Sequence, residues 1–117
     1  MKMADKKEKK KLFLPKFSKD DKFIHQSARL RLISLLYVIE EADYVFLKNQ
    51  TGLTWGNLSS HMEKLEEKGY VDVKKEFKGK KPQTTAKLND VGRKAFEEYR
   101  QKIKMMDKMV KEAGSTS

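Results

Sequence analysis

Hydrophobic residues recur at helical spacing in two stretches of the chain, and the two patterns differ in breadth. Residues 27–41 are apolar over a wide arc, formed by Leu30, Leu32, Ile33, Leu35, Leu36, Tyr37 and Ile39. Such an arc predicts a helix that is packed on two sides. Residues 55–68 carry one narrow stripe instead, made of Leu58, Met62 and Leu65. This second helix is therefore predicted to bury one face and to expose the other.

A short helix is predicted over residues 44–51, and a tight turn separates it from the second stripe. Gly52 can adopt the positive φ that ends a helix. Thr54 can then cap the next helix, because its hydroxyl can accept from an amide in the first turn. Gly69 ends that helix. The two helices predict a helix-turn-helix whose second member, over residues 55–68, presents short polar side chains outward.

After Gly69 the pattern changes to an alternation with a period of two. Val71 and Val73 alternate with Asp72 and Lys74, which predicts a half-buried strand. Residues 78–82 predict a turn in which Gly79 supplies backbone freedom and Pro82 ends the strand pairing. Residues 83–88 form the returning strand, so the pair is a hairpin, or wing. Asn89 caps a long last helix over residues 90–112, and the final residues fray.

The last helix carries an apolar seam spaced three and four residues apart, which is typical of a helix that packs on another helix. The seam consists of Phe96, Tyr99, Ile103, Met106 and Val110. It covers about two heptads, so packing on the chain's own first helix is the alternative to self-association. We predict a homodimer whose interface is formed by Phe13, Leu14, Leu30, Phe96, Tyr99, Ile103, Met106 and Val110.

The net charge is concentrated in two segments. The chain of 117 residues has a formal net charge of +10, with nine lysines and four acidic residues in residues 1–22. Residues 74–87 contain six lysines and one glutamate, and the rest of the chain is balanced. This concentration favours a polyanionic partner, the alternative being a solubilising tail and a solvated hairpin.

Several classes of protein are disfavoured by what the sequence lacks. The chain has no cysteine, which excludes disulfides and thiolate metal sites. His25 and His61 are too far apart in sequence for a metal motif. A glycine-rich phosphate loop and a catalytic triad pattern are also absent. We therefore expect no enzyme activity, no metal and no cofactor. No apolar run approaches a membrane span, so we expect a cytoplasmic protein with no membrane partner.

The second helix and the hairpin carry the residue types that bind duplex DNA. Residues 54–60 are uncharged, and short polar side chains there can donate to and accept from base edges in the major groove. Trp55 can stack on backbone sugars or pack on the preceding helix, and His61 and Lys64 lie at the edge of reach. Lysines at the hairpin tip can clamp a phosphate or follow a minor groove.

The segment GLTWGNLSSHMEKLEEKGYV, followed by KEFKGKKPQTTAKLNDVGRKAF, resembles the winged-helix transcriptional regulators related to the MarR and ArsR groups. The resemblance covers about residues 23–99. It implies a homodimer on double-stranded DNA, with the second helix of the motif in the major groove and the wing beside it. The last helix opens with Leu-Asn-Asp-Val-Gly where the family usually has Leu-Thr-x-x-Gly. The cysteine-containing metal site of ArsR sensors is missing, so metal sensing is unsupported.

Together these observations predict a mainly α fold with a small β-hairpin wing (α+β), a winged helix-turn-helix with a long C-terminal dimerisation helix. We expect a basic arm over residues 1–22, the winged domain over 23–89, and the dimerisation helix and tail over 90–117. The predicted function is sequence-specific regulation of transcription; the alternatives are an architectural DNA binder and a protein-interaction module of transcription machinery. The residues name no small-molecule effector. The predicted DNA contacts are Thr54, Trp55, Asn57, Ser59, Ser60, His61, Lys64, Lys74, Lys75, Lys78, Lys80, Lys81, Thr84 and Thr85.

Overall fold

The fold is mainly helical, with a small antiparallel sheet, as the sequence predicts. The computed structural model describes Leu12 and residues 14–115. Its elements are α1 (Lys19–Ile24), α2 (Ser27–Ile39), β1 (Glu41–Asp43), α3 (Tyr44–Thr51), α4 (Trp55–Glu67), β2 (Val71–Lys78), β3 (Lys81–Leu88) and α5 (Asp90–Ser115). The predicted helices and the wing hairpin are all present, and α1 and β1 are additional elements.

Helix α1 begins at a capping box and joins the N-terminal segment to the body. The Ser18 hydroxyl accepts from the amide of Asp21, and the Asp21 carboxylate accepts from the amide of Ser18. Asp21 and Ile24 are buried. The predicted boundary between the basic arm and the winged domain, after residue 22, falls inside α1. Helix α2 begins at the predicted residue but ends at Ile39, before the predicted end at residue 41.

The turn of the helix-turn-helix is fixed by one buried threonine. The Thr51 hydroxyl donates to the carbonyl of Leu47 at 2.7 Å, and Arg31 donates to the Thr51 carbonyl at 2.6 Å. Gly52 has a φ of 71°, and its amide donates to the carbonyl of Lys48. Positive φ at this position is the reason that glycine ends α3.

Helix α4 has the predicted cap at its start and the predicted glycine after its end. The Thr54 hydroxyl accepts from the amide of Asn57 at 3.1 Å. Gly69 has a φ of 82°, and the amide of Tyr70 reaches back to the carbonyl of Leu65. This is the hydrogen bond of a Schellman stop, which turns the chain directly into β2.

The sheet has the order β1-β3-β2, and both pairs are antiparallel. Gly79 and Lys80 form the wing turn, with a φ of 63° at Gly79, the pattern of a type II′ turn. Pro82 lies within β3, opposite Phe77, so the prediction that it ends the strand pairing is wrong. Pairs alternate along an antiparallel ladder, so the Phe77–Pro82 pair next to the turn is not hydrogen bonded and loses nothing to proline.

One hydrophobic core joins all the helices to the base of the sheet. Its buried side chains are Ile24, Leu32, Ile33, Leu36, Leu47, Leu58, Met62, Leu65, Tyr70, Val71, Ala86, Leu88, Phe96 and Tyr99. Phe96 and Tyr99 are only 6% and 3% exposed in the single chain. These two residues of the predicted dimer seam therefore pack on the chain's own helices, which leaves little of them for a partner.

Helix α5 is also held to α1 by polar contacts. The Lys102 ammonium forms an ion pair with the buried Asp21 carboxylate. His25 Nδ1 lies 2.5 Å from the Tyr99 hydroxyl, and the Phe17 ring packs against both of these rings. Phe17 therefore anchors the end of the N-terminal segment on the body of the protein. The predicted interface residue Phe13 lies outside the described residues.

Candidate nucleic-acid interface

The outward face of α4 is polar and uncharged over its first two turns. Thr54, Asn57, Ser59 and Ser60 are exposed, whereas the stripe of Leu58, Met62 and Leu65 is fully buried. The stripe predicts this orientation, because side chains on the opposite side of a helix must face solvent. The first turns thus offer donors and acceptors on short side chains without a competing charge.

Trp55 is 50% exposed at the start of α4 and contacts α3. The Lys48 ammonium lies 5.4 Å from the centre of the indole ring, within range of a cation–π contact. The ring therefore rests partly on α3 and keeps half of its surface free. Lys48 adds a positive charge beside the polar face of α4, and it is not among the residues predicted from the sequence.

His61 is turned toward the body of the protein. Its side chain is half-buried, and Nδ1 is buried without a hydrogen-bond partner among the described residues. Burial lowers the pKa of His61, and the nearby positive charges of Arg29 and Lys64 lower it further. The imidazole is therefore neutral at pH 7. Its placement away from the polar face corrects the prediction of His61 as a DNA contact, whereas Lys64 is exposed as expected.

A groove of about 630 Å³ separates α4 from the wing. Its α4 side is formed by Trp55, Ser59, Glu63 and Glu66, and its wing side by Val73, Lys75, Pro82 and Thr84. On the helix side, Trp55 and Ser59 are uncharged, whereas Glu63 and Glu66 carry carboxylates. Burial raises the pKa of the Tyr44 phenol, which also lines the groove, and the Glu66 carboxylate adds to the effect.

The pairing of β2 with β3 divides the predicted wing contacts between two faces. Lys75 and Thr84 are opposite each other and line the groove facing α4. Because neighbouring residues of a strand point to opposite faces, the cross-strand pairs Lys74–Thr85 and Lys78–Lys81 lie on the far face, with Lys80 in the turn. The predicted wing residues therefore do not form one patch but enclose the wing tip.

Two features of the wing are not expected from the sequence. Lys74 forms a 2.6 Å ion pair with Glu76, and this hydrogen bond raises the pKa of Lys74. Phe77 is 75% exposed near the tip. The period-two pattern places residue 77 on the same face as Val71 and Val73, but the hairpin extends beyond the body there, so no core covers the ring.

The fold agrees with what comparison with known proteins finds. Residues 28–109 match the family described as winged helix DNA-binding domain. The chain belongs to that family. The uncharacterized protein MJ0432 of Methanocaldococcus jannaschii is 35% identical over 89 residues, which is 76% of this chain and 97% of that protein.

Solved structures with the same fold include regulators of transcription. A transcriptional regulator homologue from Pyrococcus horikoshii OT3 superposes with a TM-score of 0.65 at 24% identity, covering 79% of this chain and 88% of that one. A mutant of MarR from E. coli, complexed with operator DNA, gives a TM-score of 0.62 at 18% identity, with 80% and 74% covered. The MarR-related fold predicted from the sequence is thereby confirmed.

The family match supports DNA binding by this domain, and the solved structures support its fold. In the described part of the chain, no group of three or more histidine, cysteine, aspartate or glutamate side chains is arranged to hold a metal ion. None of the helices over residues 14–115 is long and apolar enough to cross a membrane.

Proposed function

We propose that this protein is a sequence-specific regulator that binds double-stranded DNA with α4 in the major groove and the β2–β3 hairpin as the wing. The observation that carries the proposal is the uncharged polar face of α4, over residues 54–60, beside a hairpin rich in lysine. Base edges are recognised by short polar side chains, and phosphates by positive charge. In this proposal the face of α4 supplies the contacts to base edges, and the hairpin supplies the contacts to phosphates.

Within α4, Asn57, Ser59 and Ser60 are the candidates for contact with base edges. All three are exposed, and none belongs to the buried stripe. Thr54 and Trp55 lie at the helix start, where they can meet the sugar–phosphate backbone at the rim of the groove. We assign sequence discrimination to the first group and positioning to the second.

We further propose that the protein binds as a homodimer. Helix α5 has 26 residues, about 39 Å of helix, and the chain extends 68 Å along its longest axis. Of the predicted interface, Leu14 and Val110 are 67% and 63% exposed, and Leu30, Ile103 and Met106 are half-buried. These apolar surfaces on and beside a projecting helix support a helix-to-helix contact with a second copy.

The dimer can be tested separately from DNA binding. Met106→Lys should convert the dimer to a monomer in sedimentation equilibrium, because the substitution places a charge in the apolar seam. Lys104→Ala, on the same helix but at an exposed position, is the matched control and should leave the mass unchanged. A wild-type protein that sediments as a monomer at tens of micromolar would refute this part of the proposal.

The DNA-binding proposal is tested by selection of random duplexes with the purified protein at two salt concentrations. Enrichment of a palindrome with half-sites about one helical turn apart, or a small multiple, is the expected result. Salt-sensitive binding without enrichment would instead indicate an architectural protein. Absence of binding at moderate salt would indicate a module for protein contacts.

Two pairs of substitutions separate the roles of helix and wing. Lys80→Ala combined with Lys81→Ala should weaken binding to all sequences and reduce the salt dependence, since lysines act through phosphates. Asn57→Ala or Ser60→Ala should reduce discrimination between sequences instead. If the lysine changes altered sequence choice and the helix changes did not, the assignment of roles would be wrong.

A further inference from the structure

An apolar pair occupies the tip of the wing. Phe77 is 75% exposed, and it lies directly opposite Pro82, one residue pair from the turn. Exposure of an aromatic ring is unfavourable in water, and the cost is not offset by packing, because the hairpin extends beyond the body at this point. Pro82 stiffens the strand beneath the ring by fixing its own φ.

The direction of this pair is set by the strand register. Phe77 alternates with Lys75 and Val73 on one face of β2, and Pro82 on β3 shares that face. Val73, Lys75 and Pro82 line the groove opposite Trp55 of α4. The exposed ring therefore lies on the side of the wing that faces α4, next to the residues that line the groove.

The surroundings of the ring are strongly basic. Lys75, Lys78, Lys80 and Lys81 are exposed within a few residues of Phe77 on both strands. The one acidic residue between residues 74 and 87, Glu76, is paired with Lys74. Four free lysines around an apolar ring suit a polyanion that also has an apolar surface, and they oppose docking on a neutral hydrophobic protein face. Duplex DNA has this combination in its minor groove, where sugars and base edges lie between two rows of phosphates.

We propose that Phe77, supported by Pro82, is an apolar wedge that enters the minor groove of the DNA beside the α4 site. Wedges of this kind partly unstack a base step, so their binding favours steps that deform readily, such as TpA, over stiff A-tracts. Phe77 thereby makes affinity depend on DNA sequence at positions where no hydrogen bond reads a base. The inference rests on the proposed function, since it requires that the wing binds duplex DNA.

The probe is a series of 40-bp duplexes that carry the site selected by the wild-type protein. In each duplex the site is flanked by A-tracts that contain a single TpA step, and the position of this step differs by one base pair from one duplex to the next. Affinity is measured for wild type, Phe77→Ala, Phe77→Leu and Lys80→Ala. Thermal unfolding of each variant confirms that it folds, which is expected because all the changes are at exposed positions.

Wild type should have one preferred TpA position in each flank, at which it binds about fivefold more tightly than at the other positions. A factor of about five is at the lower end of the range for the loss of a good DNA contact. Phe77→Ala should remove that preference and weaken the best complex by roughly tenfold, as for loss of an aromatic contact to a base. Phe77→Leu, which keeps an apolar wedge, should retain part of the preference. Lys80→Ala should weaken all duplexes equally and reduce the salt slope by about one.

The wedge is refuted if Phe77→Ala keeps the positional preference, or if it binds every duplex as tightly as wild type. It is also refuted, with the proposed function intact, if wild type binds its selected site without any preference in the flanks. If wild type binds no duplex even at low salt, the proposed function and the wedge fail together. This outcome can be distinguished from a failure of the wedge alone, because without any DNA binding by wild type there is no affinity for Lys80→Ala to weaken.

Discussion

Replacement of Gly92 by alanine should destabilise the fold, although it places a better helix former in α5. A Cβ atom at Gly92 would lie 2.3 Å from the Tyr70 carbonyl oxygen and 2.7 Å from Leu88 Cδ1. A real Cβ atom essentially never makes such short contacts, so the start of α5 would have to move away from Tyr70 and Leu88. The glycine is thus required for close approach of the helix to the chain that follows α4.

The surroundings of Gly92 leave little room for relaxation. The Tyr70 carbonyl accepts from the amide of Asn89 at 3.0 Å, and the Asn89 side chain accepts from the amide of Gly92 at 2.9 Å. Leu88 is 3% exposed. Alanine is favoured over glycine in a helix by about 1 kcal/mol. Overpacking costs about 1–3 kcal/mol or more, and loss of the Asn89 hydrogen bond about 1 kcal/mol. We expect a net loss of about 1–3 kcal/mol.

Urea unfolding followed by circular dichroism measures this loss. All proteins are compared at the same protomer concentration, because the stability of a dimer depends on concentration. Gly56→Ala is the matched control. Gly56 is also helical, but nothing lies within 4 Å of the position of its Cβ, so alanine there should stabilise by about 0.5–1 kcal/mol. If Gly92→Ala were neutral or stabilising like Gly56→Ala, the close packing of α5 on Tyr70 could not be the reason for the glycine.

Three further perturbations follow from individual contacts. Glu40 has a φ of 69°, so Glu40→Gly should raise the unfolding free energy by about 0.5–1 kcal/mol in urea titrations; a decrease would contradict backbone strain there. Burial raises the pKa of Asp21, but hydrogen bonds from Lys102 and Ser18 outweigh it and leave the pKa below its usual value. Its stabilisation should thus be present above about pH 4 and decline as the pH falls further, so in urea titrations Asp21→Asn should destabilise more at pH 7 than at pH 2. Glu63→Gln with Glu66→Gln should tighten duplex binding about two- to fivefold in fluorescence anisotropy, because two carboxylates leave the groove; weaker binding would mean that they contact the DNA favourably.

The helix-turn-helix is predictable because each of its boundaries has its own chemical signal. Gly52, Thr54 and Gly69 mark the end of α3, the start of α4 and its end, and each forms the contact that its residue type predicts. Helix α1 has a similar signal in Ser18 and Asp21, a capping box that the charge of the surrounding segment hides. Strand β1 has three residues, too few for a period of two to be visible.

The site is predictable only as far as single elements determine it. The buried stripe of α4 fixes its outward face, and the same spacing could have placed His61 correctly, since it follows Leu58 by three residues and precedes Leu65 by four. The division of the wing contacts between two faces depends on strand register, which local patterns do not contain. Likewise, an apolar seam does not reveal its partner, and for Phe96 and Tyr99 the partner is the chain's own core.

The distribution of charge indicates how affinity is divided along the DNA surface. Of the six lysines between residues 74 and 87, Lys74 is paired with Glu76, and Lys87 lies opposite both Glu41 and Asp72. The remaining four surround the wing tip. If all four contact phosphates in each half of a dimer, the slope of log affinity against log salt should be about −7. Because α4 contributes no charge over residues 54–60, a steeper slope requires further cations, and Lys64 later in α4, Lys48 beside Trp55 or the lysines of residues 1–22 would be the source.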